Sequence, residues 1–156
     1  MSSETSVEPV FDGLVVEVLS EIGLVGAALI DERAARTLVE VPLDDFLDQR
    51  LRVIAGAIRD VVGELARPDV ILVLDRLHTI GHHEITLADL HRLFVETPSI
   101  TSAPRYAAII RRRARHRRTV HVAADLSAAA LRGDDAEIRR LTAQLVDLVG
   151  EEEPDQ

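Results

Sequence analysis

Cysteine and lysine are both absent from this sequence, and each absence excludes a class of protein or site. Without cysteine there can be no disulfide scaffold and no cysteine-ligated zinc site. Without lysine there can be no P-loop lysine, so we expect no motor activity. The longest apolar runs, residues 24–30 and 70–74, are too short to cross a bilayer, and the acidic N-terminus lacks a signal-peptide pattern. These absences favour a cytoplasmic protein without a membrane partner.

Aromatic residues are also scarce, at 3% of a chain that is nevertheless 47% apolar. The core must therefore be aliphatic, and the alanines and leucines that dominate it are strong helix formers. A length of 156 residues favours one domain with a single packed core. Gly23 and Gly26 lie in the first apolar stretch, where the lack of a side chain permits close approach of another helix.

Apolar residues recur at helical spacing along most of the chain, and no segment clearly predicts a strand. Residues 70–74 alone could form a strand, but the continuation of the helical spacing to Leu77 and Ile80 favours a helix. The first predicted helix spans residues 14–30, and the second runs from a cap at Asp31 to Pro42. The third begins at a cap at Asp44 or Asp45, is about five turns long and has an apolar stripe from Leu47 to Leu65. Further helices are predicted at residues 70–80, 87–94 and 105–132, and a last one runs from a cap at Asp134 to Val149.

This pattern predicts an all-α fold, a compact bundle of about six helices followed by a C-terminal helical hairpin. We expect a flexible tail at 1–11, a globular head at 12–100, the hairpin at 101–149 and an acidic tail at 150–156.

Charge is distributed very unevenly along the chain. Seven arginines and no acid lie between Arg105 and His121, whereas the remaining chain holds 11 arginines against 27 acidic residues. We call residues 111–118, with the sequence RRRARHRR, the arginine block. Three interpretations stay open: a solvated stretch paired with acids of neighbouring helices and of the last helix (Asp134, Asp135, Glu137), a protein interface, or a nucleic-acid site. Nucleic acid is not favoured, because the arginines project all round the helix and Tyr106 is the only nearby aromatic residue.

Signals of catalysis are weak. Possible metal ligands cluster in one region, and they are His78, His82, His83, Glu84 and His91. Gly81 breaks the helical spacing between His78 and His82, so we favour a solvated turn over a metal-dependent enzyme. We therefore predict no catalytic residue, no cofactor and no metal.

Several stretches in order resemble one known family. They are GAALID at 26–31, DFLDQRLRVIAGAI at 45–58, DVILVLDRLHTIG at 69–81 and LADLHRLFVETPSITSAPRYAAIIRRR at 87–113. Over about residues 16–132 the sequence resembles the N-terminal domain of DnaB-type replicative DNA helicases. The resemblance implies a helical head and a helical hairpin, not the motor. It also implies that hairpins pair to build a collar above the ATPase ring, and that the domain contacts primase.

The hairpin departs from the family where polar residues replace the usual leucines, at Arg115, His116 and Thr119. The candidate interface residues are Arg112, Arg115, His116, Thr119, Leu141 and Leu145. The resemblance predicts a DNA-replication interaction module without motor activity, which forms a homodimer through the hairpin or binds a replicative helicase or primase. The alternative is a nucleic-acid-binding helical protein that uses Arg111–Arg118. The polar residues 151–156 favour a stand-alone homologue over an excised helicase domain.

Overall fold

The computed structural model describes residues 8–64 and 67–150, with side chains from residue 12 onward, and every regular element in these ranges is helical. The α-helices are α1 (Glu8–Ala28), α2 (Glu32–Val39), α3 (Gln49–Gly63), α4 (Val70–Thr79), α5 (Leu87–Glu96), α6 (Ala103–Arg132) and α7 (Asp135–Gly150). Two 3-10 helices span Leu43–Asp45 and Ile100–Ser102. The predicted all-α fold is confirmed, although the described residues before α6 form five α-helices and two 3-10 helices rather than about six helices.

The chain divides into two compact units between Ile110 and Arg111, so the division falls inside α6. We call the unit up to Ile110 the head and the unit from Arg111 the hairpin unit. Helix α1 begins at Glu8, earlier than the predicted start at Leu14. The rest of the predicted tail at 1–11, and residues 151–156 of the predicted acidic tail, lie outside the described residues.

The predicted cap of the long third helix is wrong. Helix α3 begins at Gln49, and Asp48 caps it by accepting a hydrogen bond from the Leu51 N–H at 2.9 Å. Asp45 instead ends a 3-10 helix and is buried. The 3-10 turn after Pro42 delays the start of the α-helix and leaves Leu47 exposed outside it. By contrast, Asp31 caps α2 as predicted, accepting from the Ala34 N–H at 2.8 Å.

The head has an aliphatic core, as the composition predicts. Its largest fully buried side chains include Phe46, Leu24, Leu29, Leu38, Ile54, Ile58, Leu77, Ile85, Leu90 and Ile110. They come from α1–α5, from the first part of α6 and from the loops between these helices. The helices of the head therefore share one core. Burying each such side chain stabilises the fold by roughly 1.5–3 kcal/mol.

Two half-buried arginines of α3 connect this helix to the chain before it. The Arg59 guanidinium donates to the carbonyls of Val39 and Val41, at 3.0 and 2.6 Å, and so holds the end of α2 against α3. The Arg52 guanidinium donates to the Phe46 carbonyl at 2.7 Å. Each bond satisfies a carbonyl at a helix end or in a loop that has no helical partner.

Glu21 of α1 is a fully buried carboxylate with a structural role. Its two carboxylate oxygens accept the backbone N–H groups of Leu47 and Asp48, at 2.5 and 3.1 Å, just before α3 begins. Burial raises the pKa of the Glu21 carboxyl, while these two hydrogen bonds act in the opposite direction. Glu21 therefore ties the middle of α1 to the entry of α3.

Gly26 lies where α1 approaches the end of α5 closely. A Cβ atom at this position would overlap the hydroxyl oxygen of Thr97 and the backbone carbonyl of Leu93. At Gly23 a Cβ atom would lie 2.7 Å from a ring carbon of Tyr106. The predicted close helix approach is confirmed at Gly26, where part of the obstacle is backbone that cannot rotate away, whereas at Gly23 the ring of Tyr106 fills the space.

We expect Gly26→Ala to lower the free energy of unfolding by about 1–3 kcal/mol or more, because the new methyl group overpacks a backbone contact. Gly56→Ala is the matched control, since its Cβ would meet only Leu43 at an ordinary 3.6 Å. There the change should raise stability by about 0.5–1 kcal/mol through helix propensity. Urea unfolding monitored by circular dichroism measures the free energy of unfolding of each variant. An equal change in the two variants would contradict the packing argument.

The raised pKa of Glu21 predicts how the stability of the fold depends on pH. Because the folded-state pKa of Glu21 is raised above 4.5, its contribution to stability is full below pH 4.5 and is lost as pH rises through the folded pKa. Glutamine does not titrate, so wild type should gain stability relative to Glu21→Gln as pH falls from 7 towards 4.5. Urea midpoints at both pH values measure this gain. The variant Glu96→Gln, at an exposed position, controls for the change in net charge. If wild type gained as much stability relative to Glu96→Gln as relative to Glu21→Gln, a specific role of Glu21 would be contradicted.

Candidate protein-interaction surface

The hairpin unit has a small core of its own. Val122 and Ala129 of α6 and Leu141 of α7 are buried together. The partly buried residues packed against them are Leu126, Ile138, Leu145 and Leu148. The two helices therefore meet along one apolar seam, which we call the hairpin seam.

A tight turn with a defined hydrogen-bond pattern joins α6 to α7. Gly133 has φ of 69°, a left-handed conformation that favours glycine. The N–H groups of Gly133 and Asp134 donate to the carbonyls of Ala130 and Ala129, both at 3.1 Å, which is the Schellman pattern for ending a helix. Asp134 then accepts from the Glu137 N–H at 3.1 Å, so the predicted cap of the last helix is confirmed.

The six candidate interface residues separate into two groups. Leu141 is 2% exposed and Leu145 is half-buried, and both pack inside the hairpin seam. Leu141 thus has little surface to offer a partner. Arg112, Arg115 and Thr119 are half-buried, and His116 is exposed. The Thr119 hydroxyl donates to the Arg115 carbonyl at 2.9 Å, so it is engaged within its own helix.

Sequence reasoning missed a row of exposed residues on the opposite side of α6. Val120 is 67% exposed and Leu131 is 89% exposed. With Ala124 and Ser127, which are also exposed, they are spaced four, three and four residues apart and so share one face. We call these four residues the α6 stripe. The spacing was visible in the sequence, but only the packing of α7 shows that this is the uncovered face.

The arginine block is divided among several faces of α6. At about 100° per residue, Arg111, Arg115 and Arg118 lie on the side that carries the hairpin seam, whereas Arg112 and Arg113 point elsewhere. Arg117 is half-buried, and burial together with the neighbouring Arg118 lowers its pKa. The block therefore does not present one continuous basic surface to a nucleic acid.

Two of the acids considered as partners of the arginine block, Asp134 and Glu137, have other partners near the turn between α6 and α7. Helix α6 is continuous to Arg132, which places Arg118 about 20 Å along the helix from the turn. Glu137 pairs instead with Arg140, at 2.5 Å, and this hydrogen bond lowers the pKa of the Glu137 carboxyl. Asp134 serves as the helix cap.

Of the histidines considered as metal ligands, His78 lies in the last turn of α4, whereas His82 and His83 lie in the turn between α4 and α5. The His78 Nε2–H donates to the Ile85 carbonyl at 2.9 Å, and His82 Nδ1 lies 2.9 Å from a carboxylate oxygen of Glu84. The rings of His78 and His83 are 5.3 Å apart, centroid to centroid. Gly81, with φ of 100°, makes the turn that the sequence predicts.

His91 lies on α5 with its ring edge-on to Phe94, 5.9 Å between centroids. Among the residues that the structure describes, no three metal-type side chains come together. No helix within 8–64 and 67–150 combines the length and apolarity that a bilayer crossing requires.

Comparison with known proteins identifies the family. The family described as the DnaB-like helicase N-terminal domain matches residues 16–112, which is more than half of the chain. This chain belongs to that family. The match covers the head and the first residues of the hairpin unit, so the resemblance predicted over 16–132 is confirmed by the family match up to Arg112.

A solved structure shares the fold of this DnaB-like domain. The crystal structure of the N-terminal domain of DnaB helicase from Mycobacterium tuberculosis superimposes with a TM-score of 0.76 at 22% sequence identity. The alignment covers 83% of this chain and 96% of the mycobacterial one. No curated protein shows significant sequence similarity to the chain.

We expect Gly133→Ala to weaken the hairpin of this DnaB-like domain by about 1–2 kcal/mol, because alanine is disfavoured at a φ of 69°. The control is Gly150→Ala, at the end of α7, where a Cβ atom would meet nothing within 4 Å. Hydrogen exchange of the α7 amides reports the local opening free energy. Equal protection in the two variants would show that the turn does not limit the stability of the hairpin.

Proposed function

We propose that this chain is a DNA-replication interaction module that works without motor activity of its own. In this proposal it acts in the cytoplasm, forms a homodimer through the hairpin unit, and binds a replicative helicase or primase. Membership of the DnaB-like N-terminal family supports a role in helicase-related assembly. The observation that carries the proposal is the α6 stripe, an apolar face that the protein's own packing leaves open.

The α6 stripe has the features of a pairing surface. Leu131 and Val120, at its two ends, are far more exposed than apolar side chains on a helix packed on all sides. Ala124 and Ser127 between them are small, which allows a second helix to approach closely. Burying apolar area in this row contributes roughly 25 cal/mol per Å². An exposed apolar row of this kind is typical of an interaction site.

The surrounding charge favours a selective partner. His116 and Arg118 are exposed, and the whole stretch from Arg105 to His121 contains no acid. An acidic partner surface would be steered towards this end of the hairpin unit, while a basic one would be repelled. Arg115, His116 and Thr119 therefore are the polar positions that we expect to govern which helicase or primase surface can bind.

We predict that wild-type protein forms a dimer and that the double variant Val120→Glu, Leu131→Glu is a monomer, because two carboxylates would be buried in the paired stripe. Size-exclusion chromatography with light scattering over a concentration series measures the mass. The matched control is His121→Glu, an exposed neighbour of Val120 about 100° away around α6. Circular dichroism confirms that each variant is folded.

Two results would contradict the dimer proposal: a wild-type monomer at all concentrations, or loss of the dimer in His121→Glu to the same degree. The partner proposal has a separate test, in which immobilised wild-type chain is exposed to purified replicative helicase and primase of the same organism. Binding to one of them, weakened at least tenfold by Arg115→Glu, supports it. No binding to either protein overturns it.

A further inference from the structure

The head has an apolar groove between α4 and α5 that its own packing leaves open. Ile71 in the first turn of α4 is 73% exposed, and Leu87 and Val95 of α5 are 52% and 64% exposed. These three side chains line one groove with a volume of about 980 Å³, which we call the α4–α5 groove. Large apolar side chains that are exposed together in a concave surface are typical of an interaction site.

Charged side chains lie along one edge of the α4–α5 groove. On α5, Leu87 and Val95 belong to one row at steps of four residues, and Ala88, Arg92 and Glu96 form the adjacent row. Arg92 and Glu96 also line a second cleft, of about 200 Å³, so their row separates the two concave surfaces. This edge of the groove therefore carries a cation and an anion one helical turn apart.

Neither charge on this edge is neutralised by an ion pair with another residue that the structure describes. Arg92 and Glu96 are both exposed. Asp89, three residues before Arg92, pairs instead with Arg50 at 2.8 Å, and it also accepts the Thr86 backbone N–H at 2.9 Å. A partner that brings an acid to Arg92 and a base to Glu96 would thus be complementary to the edge in charge.

The apolar surface of the groove favours a helical occupant. Its apolar part offers no hydrogen-bond partner to a peptide backbone, so a helix, whose backbone pairs internally, is favoured over an extended segment. Leu87 and Val95 are eight residues apart on α5, which is about 12 Å and close to the distance between apolar side chains at i and i+7 of a docked helix. Such a helix covers the apolar row from end to end.

We propose that the α4–α5 groove binds an amphipathic helix of a partner protein. The apolar stripe of that helix packs on Ile71, Leu87 and Val95. On its flank an acidic side chain pairs with Arg92, and a basic side chain one turn away pairs with Glu96. Every residue of the groove belongs to the head, so this docking does not depend on pairing of the hairpin unit.

A designed peptide tests this docking on the full chain. The probe is a fluorescent alanine-based helix of about 16 residues, with leucines at i, i+4 and i+7 and with one glutamate and one lysine a turn apart on the flank. We expect saturable binding by fluorescence anisotropy, and ¹⁵N amide shifts centred on residues 70–71 and 87–96.

The double variant Ile71→Gln, Val95→Gln should weaken binding of this peptide by roughly tenfold or more, because it removes apolar contacts in the groove. The matched control is Ile80→Gln, which replaces an apolar side chain that is 44% exposed and lies outside the groove, and it should leave the affinity unchanged. Circular dichroism confirms that each variant is folded.

The charge pairing has a test of its own. Arg92→Gln should weaken binding of the peptide by roughly threefold, and it should have no effect on a second peptide in which glutamine replaces the glutamate. An equal loss for both peptides overturns the pairing of an acidic side chain with Arg92.

Three further results overturn the proposal. They are no saturable binding at about 1 mM protein, amide shifts centred on the α6 stripe instead of the groove, and equal affinity of wild type and the Ile71→Gln, Val95→Gln variant. A second copy of the chain as the occupant is also distinguishable. In the Val120→Glu, Leu131→Glu background, self-association that Ile71→Gln abolishes would place that copy in the groove and overturn binding of a partner helix.

Discussion

The close approach of α1 to α5 at Gly26 is the contact on which the head depends. A chain with few aromatic residues has to build its core from small aliphatic side chains, and these fill space only when helices lie near one another. At Gly26 the α1 backbone meets the Leu93 carbonyl without an intervening side chain. The residues on either side, from Leu24 to Leu29, are then buried almost completely. Glu21, on the same helix, accepts hydrogen bonds from the Leu47 and Asp48 N–H groups just before α3 begins.

The hairpin unit buries much less apolar surface than the head. Among residues 111–150, the buried apolar side chains are Ala114, Val122, Ala129 and Leu141, while Leu131 on α6 is largely exposed. A unit with so little internal burial has limited stability of its own and gains from association. This difference in internal burial, more than the number of charges, separates the head from the hairpin unit.

Local chemistry made parts of the fold predictable. Asp31 and Asp134 were identified as caps because short acidic side chains before an apolar run satisfy free N–H groups. The same rule failed at Asp44 and Asp45, since a 3-10 turn intervened and Asp48 became the cap. Leu141 and Leu145 were read as interface candidates, yet they belong to the seam inside the hairpin. Spacing identifies a face of a helix but not the element that covers it.

The sequence by itself determined the all-α class, the family, the hairpin turn and the position of the basic stretch, because these depend on residues close together in the chain. The tertiary structure decided which apolar face of α6 stays open, since that follows from where α7 packs. It also decided that the arginine block is not one surface, as Arg111, Arg115 and Arg118 follow the seam while Arg112 and Arg113 point away from it. Exposure and register are set by distant contacts, and no local pattern contains them.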